Sequence, residues 1–181
     1  YRFGFEKLGK DDLRKAQAIL EQGFQYSDTR VEYYNEYARA LLLQGKFEEA
    51  EQSVKDYLAR VYFSEWFSYV TLGHFYFVAE RYEQAFEEYE KAREAGYAFV
   101  EIVPEYSRYM YVAERIKDYE KVIDMAHAFI DQCGPDGDTY FNIAVAYFYL
   151  DDREKAKEFF LKAVEADPAY KKHEFKAFFL E

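Results

Sequence analysis

Cysteine is almost absent from this sequence, basic residues are outnumbered, and long apolar runs are missing; each shortage removes a class of function. The single cysteine, Cys133, excludes an intrachain disulfide and a cysteine-built zinc site, and it fits a reducing cytosol or a larger extracellular helical domain that needs no staples. His74, His127 and His173 lie far apart, with no His-x-x-x-His pair among them, so no metal is expected. Lys and Arg number 24 against 35 Asp and Glu, a formal charge of −11. That balance argues against a phosphate-tracking surface, and hence against nucleic acid as a partner. The longest apolar stretches, such as 143–150, fall well short of the roughly 20 residues of a membrane-spanning helix, so no direct membrane insertion is expected. Glycine-rich phosphate loops and nucleophile elbows are missing too, and the many Glu pairs, such as Glu87 and Glu88, read as solvated outer faces. The expectation is a non-catalytic protein without a cofactor. Neither Met nor a basic-then-apolar leader precedes Tyr1, from which a fragment of a longer protein or a processed chain is expected.

What is present is a repeat. With 50% apolar and 22% aromatic residues in 181, the chain has the composition of a folded domain. Residues 138–168 read as two helical patterns of about a dozen residues, with apolar side chains three or four apart, joined by the polar turn Leu150-Asp151-Asp152-Arg153. The same unit recurs along the chain. Ala16, Ala50, Ala85, Val122 and Ala156 mark it, at spacings of 34, 35, 37 and 34. Sixteen residues before the last four stand Tyr34, Tyr69, Tyr106 and Tyr140. Twelve residues before all five stand Gly4, Ala38, Gly73, Met110 and Ala144, where close helix approach favours a small side chain and Met110 is the exception. Seven residues after the marks come Gly23, Tyr57, Ala92, Phe129 and Ala163. A fixed period of this length marks a solenoid.

This register resembles the tetratricopeptide repeat, a 34-residue helix-turn-helix. Tyr69, Leu72, Gly73, Tyr76, Ala85, Tyr89 and Ala92 follow its order, as do Tyr140, Ile143, Ala144, Tyr147, Ala156, Phe160, Ala163 and Pro168. Tyr stands where the family prefers Trp, only the last copy closes with Pro, and the third full copy departs furthest, with Met110, Ala113 and Val122 at family positions. The resemblance implies an all-α, right-handed α-solenoid of antiparallel helix hairpins, a TPR superhelix, with a C-terminal capping helix. It would run as one domain over 1–181: a partial repeat at 1–30, full repeats at 31–64, 66–99, 103–136 and 137–170, and the capping helix at 169–181. Expected helices cover 12–22, 30–44, 46–60, 65–79, 81–95, 104–116, 118–132 and 169–180, with the remains of a first helix at 1–8. An insertion is expected around 97–103, and the Gly134-Pro135-Asp136-Gly137 run is the strongest turn signal.

In that family the partner is an extended or helical peptide lying in a concave groove lined by first helices. Transfer by register places the groove at Asn35, Arg39, Phe67, Val70, His74, Phe77, Ser107, Arg108, Tyr111, Arg115, Phe141, Asn142, Val145 and Phe148. Aromatic and Arg side chains are the usual interface anchors. Each aromatic is also open to a reading as inter-repeat core, and each Arg to one as the partner of a neighbouring Glu. Asn35, Arg39 and Arg108 resemble part of the carboxylate clamp of chaperone-binding members, but Thr71 and Pro104 replace an Asn and a Lys of that set. The functional expectation is a protein- or peptide-binding scaffold, with the cytoplasm favoured as its location. The alternative is an assembly module that packs its solenoid end against another domain or a second copy, as a homodimer joined through Phe3, Phe5 and Leu8. A narrower resemblance, on 91–97, 118–121 and 154–168, is to the soluble repeat tails of bacterial O-antigen ligase or polymerase-like proteins, membrane proteins of glycan assembly.

Overall fold

The computed structural model describes residues 9–23, 31–60, 64–99, 103–173 and 176–180, and no strand occurs among them. The helix expected at 1–8, with Phe3, Phe5 and Leu8, and most of the insertion after Phe99 lie outside the described residues. Two compact units divide the chain, 1–97 and 98–181. The first holds α1 (Lys10–Gly23), α2 (Val31–Leu42), α3 (Phe47–Arg60), α4 (Glu65–Val78) and α5 (Tyr82–Glu94). The second holds α6 (Val103–Arg115), α7 (Tyr119–Cys133), α8 (Gly137–Tyr149), α9 (Arg153–Ala166), a 3-10 turn (Pro168–Lys172) and α10 (Lys176–Leu180). Within each unit consecutive helices pack as hairpins, α2 on α3 and α4 on α5, then α6 on α7 and α8 on α9.

The marked small residues are what let the helices close. Ala38 and Ala50, Gly73 and Ala85, and Ala144 and Ala156 are all buried at their hairpin contacts. At Gly73 the approach is closest, since a Cβ there would stand 2.4 Å from the ring of Tyr89, itself fully buried. Where the position seven after the mark is large, its ring packs on the first-helix tyrosine: Tyr57 tilted against Tyr34 at 4.7 Å and Phe129 stacked on Tyr106 at 5.7 Å between ring centroids. The other two hairpins carry Ala92 and Ala163 there, both fully buried. Aromatic pairs at such distances stabilise by about 0.5–1.5 kcal/mol beyond the area they bury.

Each hairpin turn is made by the backbone. Gly45, Glu80, Lys117 and Asp151, one period apart, all have positive φ, between 57° and 76°. The residue after each donates its N–H to the carbonyl five back: Lys46 to Leu41, Arg81 to Tyr76, Asp118 to Ala113 and Asp152 to Tyr147, at 2.9–3.0 Å. This is the Schellman closure, which satisfies carbonyls that a helix end leaves unpaired. In two of the turns the next helix also has a side-chain cap, Asp118 accepting from Lys121 N and Asp152 from Lys155 N.

The C-terminal segment covers the last hairpin in two pieces, unlike the single helix expected over 169–180. Pro168 opens the 3-10 turn, His173 is extended, and the chain is helical again over Lys176–Leu180. The break has a packing reason. It lets Tyr170, His173 and Phe179 all reach the ring of Phe141, with centroids at 4.9, 4.6 and 6.1 Å.

Candidate functional site

The third full hairpin is built differently from the others. Its contact pair is Met110 with Val122, where the other hairpins have Ala or Gly with Ala, and α6 and α7 approach each other less closely than the helices of those hairpins. Side chains wedged between two helices hold their axes apart. Beside this pair, within the second unit, a cleft of about 430 Å³ opens. Ser107, Met110, Tyr111 and Glu114 of α6 line it, with Tyr119, Val122 and Phe129 of α7, Asp136, and Asp138, Thr139, Asn142, Val145 and Ala146 of α8.

The lining combines an apolar floor with carboxylates. Met110, Val122 and Ala146 are buried and give no polar partner. Asp136 caps α8, accepting from Thr139 N at 2.9 Å and from Thr139 Oγ1 at 2.6 Å, which fixes that wall. Asp138 accepts a hydrogen bond from the Tyr170 hydroxyl at 2.5 Å. Tyr119 stacks on Tyr149 at 4.8 Å with an interplanar angle of 8°, and burial, followed by the Tyr149 and Glu114 charges, pushes its pKa up. Glu114 differs from the two aspartates in that its carboxylate makes no hydrogen bond or ion pair among the described residues. Burial raises its pKa and the neighbouring Arg115 charge opposes that shift. The residue as a whole stays open to solvent. Among the described residues, three carboxylates and no Lys, Arg or His line the cleft.

Ser107, Tyr111, Asn142 and Val145, expected as groove residues, meet in this cleft, and Tyr111 is 43% exposed. Arg108 lies on the same helix with its guanidinium 3.0 Å from Glu105, and Arg115 is exposed at the helix end. Phe141 is engaged by the C-terminal segment, and Phe148 lies 4.0 Å beneath the Arg153 guanidinium with Phe178 and Phe179 edge-on to it. In the first unit Asn35 is exposed and Arg39, one turn on, is half-buried. Along α4, Val70 is a core residue at 7% exposure, while Phe67, His74 and Phe77 are half-buried with their rings edge-on to Trp66, Tyr89 and Tyr82. Glu114, Tyr119, Asp136, Asp138 and Thr139 belong to the cleft without having been expected there. The trace they leave in the sequence is the irregularity of their repeat, Met110 and Val122. Among the described residues no group of three His, Cys, Asp or Glu side chains is placed to hold a metal ion, and no helix is long and apolar enough to cross a membrane.

Residues 137–170 match the model of the tetratricopeptide repeat family. The fold as a whole is that of solved tetratricopeptide proteins. MamA is 19% identical with a TM-score of 0.62, the alignment covering 96% of this chain and 99% of that one. A segment of MamA from Desulfovibrio magneticus RS-1, starting at its residue 41, is 23% identical with a TM-score of 0.57, covering 77% and 78%. YrrB, described as a TPR protein with an unusual peptide-binding site, is 18% identical with a TM-score of 0.61, covering 87% and 79%. No curated protein matches the chain. These similarities carry the tetratricopeptide resemblance and not the narrower one to O-antigen ligase tails.

Proposed function

We propose that this chain is a non-catalytic protein-interaction scaffold and that it receives a peptide or helix of its partner along its first helices, with the cleft of the third hairpin as the main contact. The observation that supports this reading is that Ser107, Tyr111, Asn142 and Val145, four of the residues expected to line a groove, meet in one cleft. Tyr111 supports it further, because an exposed tyrosine above an apolar floor offers a large contact area at low cost in side-chain freedom. YrrB, which shares the fold, is described by its own peptide-binding site.

The test begins with peptides selected on the wild-type chain from a random displayed library. They are titrated against the wild type and an Asn142→Arg variant, with light scattering run alongside. One-to-one binding that weakens about tenfold or more in the variant, at unchanged mass, is the expected result. A concentration-dependent dimer, with no selected peptide sensitive to Asn142→Arg, would instead favour packing of one copy on another.

A further inference from the structure

We infer that the third-hairpin cleft selects a Lys or Arg side chain of the partner polypeptide, its aliphatic stem lying on Tyr111 and Val145 and its cationic head meeting the Glu114 carboxylate. The inference rests on the groove reading above and adds the chemistry of the occupant.

Charge complementarity argues for this occupant. An anion would meet Glu114, Asp136 and Asp138 with no basic side chain among the described lining residues to offset them. A purely apolar side chain would cover Glu114 and leave a desolvated carboxylate without a partner. A cation on a hydrocarbon stem meets both demands, since such side chains bury their methylenes and keep their charge at a polar rim. Of the three carboxylates, Asp136 is engaged by Thr139 and Asp138 by Tyr170, whereas Glu114 has its hydrogen-bonding capacity unused among the described residues. Arg115 follows Glu114 directly on α6; adjacent helix positions do not face each other, and its charge acts on Glu114 only by opposing the effect of burial. Arg108, one turn and a half earlier, is held by Glu105.

Five pools of labelled nonapeptides, with random flanks and a central Lys, Arg, norleucine, Gln or Glu, test the inference by fluorescence anisotropy. The Lys and Arg pools should bind about tenfold more tightly than the norleucine and Gln pools, with the Glu pool weakest. Glu114→Gln should remove the advantage of the basic pools while the norleucine pool binds as well as before or better, since no carboxylate is then left desolvated, and Glu114→Lys should turn the preference toward the Glu pool. Melting curves followed by circular dichroism establish that both variants are folded. Equal binding of all five pools, abolished by Asn142→Arg, would overturn the cation preference and leave the groove standing. If no pool binds at millimolar concentration, the groove and the cation site both fall.

Discussion

Glu51 and Glu114 show how the same residue type acts with opposite sign on two helices. Glu51 accepts from Lys55 Nζ at 2.8 Å and from the Tyr76 hydroxyl at 2.5 Å, and the second bond ties α3 to α4. Lys55 first and Tyr76 second hold its pKa below the ordinary 4.5, so the folded state binds this proton less readily than the unfolded chain does. Its stabilisation is therefore complete above that ordinary value and is lost as pH falls through the folded one. Glu51→Gln should reduce stability by about 1–2 kcal/mol at pH 7 and by little at pH 3, read from urea unfolding at both. Glu114 runs the other way: burial raises its pKa, so its contribution is most favourable below 4.5 and declines as pH rises through the raised value. Glu114→Gln is expected to melt at or slightly above the wild-type temperature at pH 7, with the difference closing at pH 4. A stability loss at pH 7 would show that the carboxylate has a partner of its own. Gly73 makes the steric case. Ala there gains about 1 kcal/mol in helix propensity but presses on the buried Tyr89 ring. Overpacking of this kind costs about 1–3 kcal/mol, so a net loss and a lower melting temperature are expected. Gly73 was legible in the sequence because its place in the period required a small side chain; Glu114 was not, because no periodic position distinguishes it from the solvated glutamates around it.

At the level of helices and turns, the period is written more faithfully in backbone conformation than in residue type. Gly45, Glu80, Lys117 and Asp151 share one left-handed conformation although only the first adopts it without steric cost. The Schellman bonds hold the other three there at a cost of about 1–2 kcal/mol each. Lys117→Gly should raise stability by about 0.5–1 kcal/mol and Gly45→Ala should lower it by about 1 kcal/mol, both measurable by denaturant melts. Turns of this kind escape sequence reading because the hydrogen bonds that impose them come from carbonyls five residues back. The C-terminal break is similar. Residues 169–180 contain nothing that forbids a helix, and it is the ring of Phe141, distant in sequence, that draws Tyr170, His173 and Phe179 onto itself. The hairpins themselves were readable to within two residues at their ends, because each needs only a local stripe of apolar side chains.

For the molecule as a whole, the formal charge of −11 sets long-range behaviour whatever the local site does. A cationic peptide is drawn in by that field, so raising salt from 0.05 to 0.5 M should slow its association about tenfold and change its dissociation far less, as stopped-flow traces can separate. An association rate indifferent to salt would mean that steering plays no part. The fold class was recoverable from the sequence because repetition multiplies a weak signal, whereas the cleft depends on the single hairpin where repetition lapses. That hairpin also bears on engineering. Averaging the repeats into an idealised array would put small residues at positions 110 and 122, draw the two helices together and yield a more regular protein without the cleft. A duplicated hairpin, conversely, can gain a ligand through one bulky substitution at a contact that otherwise closes, so new specificity in such an array can arise without a new element.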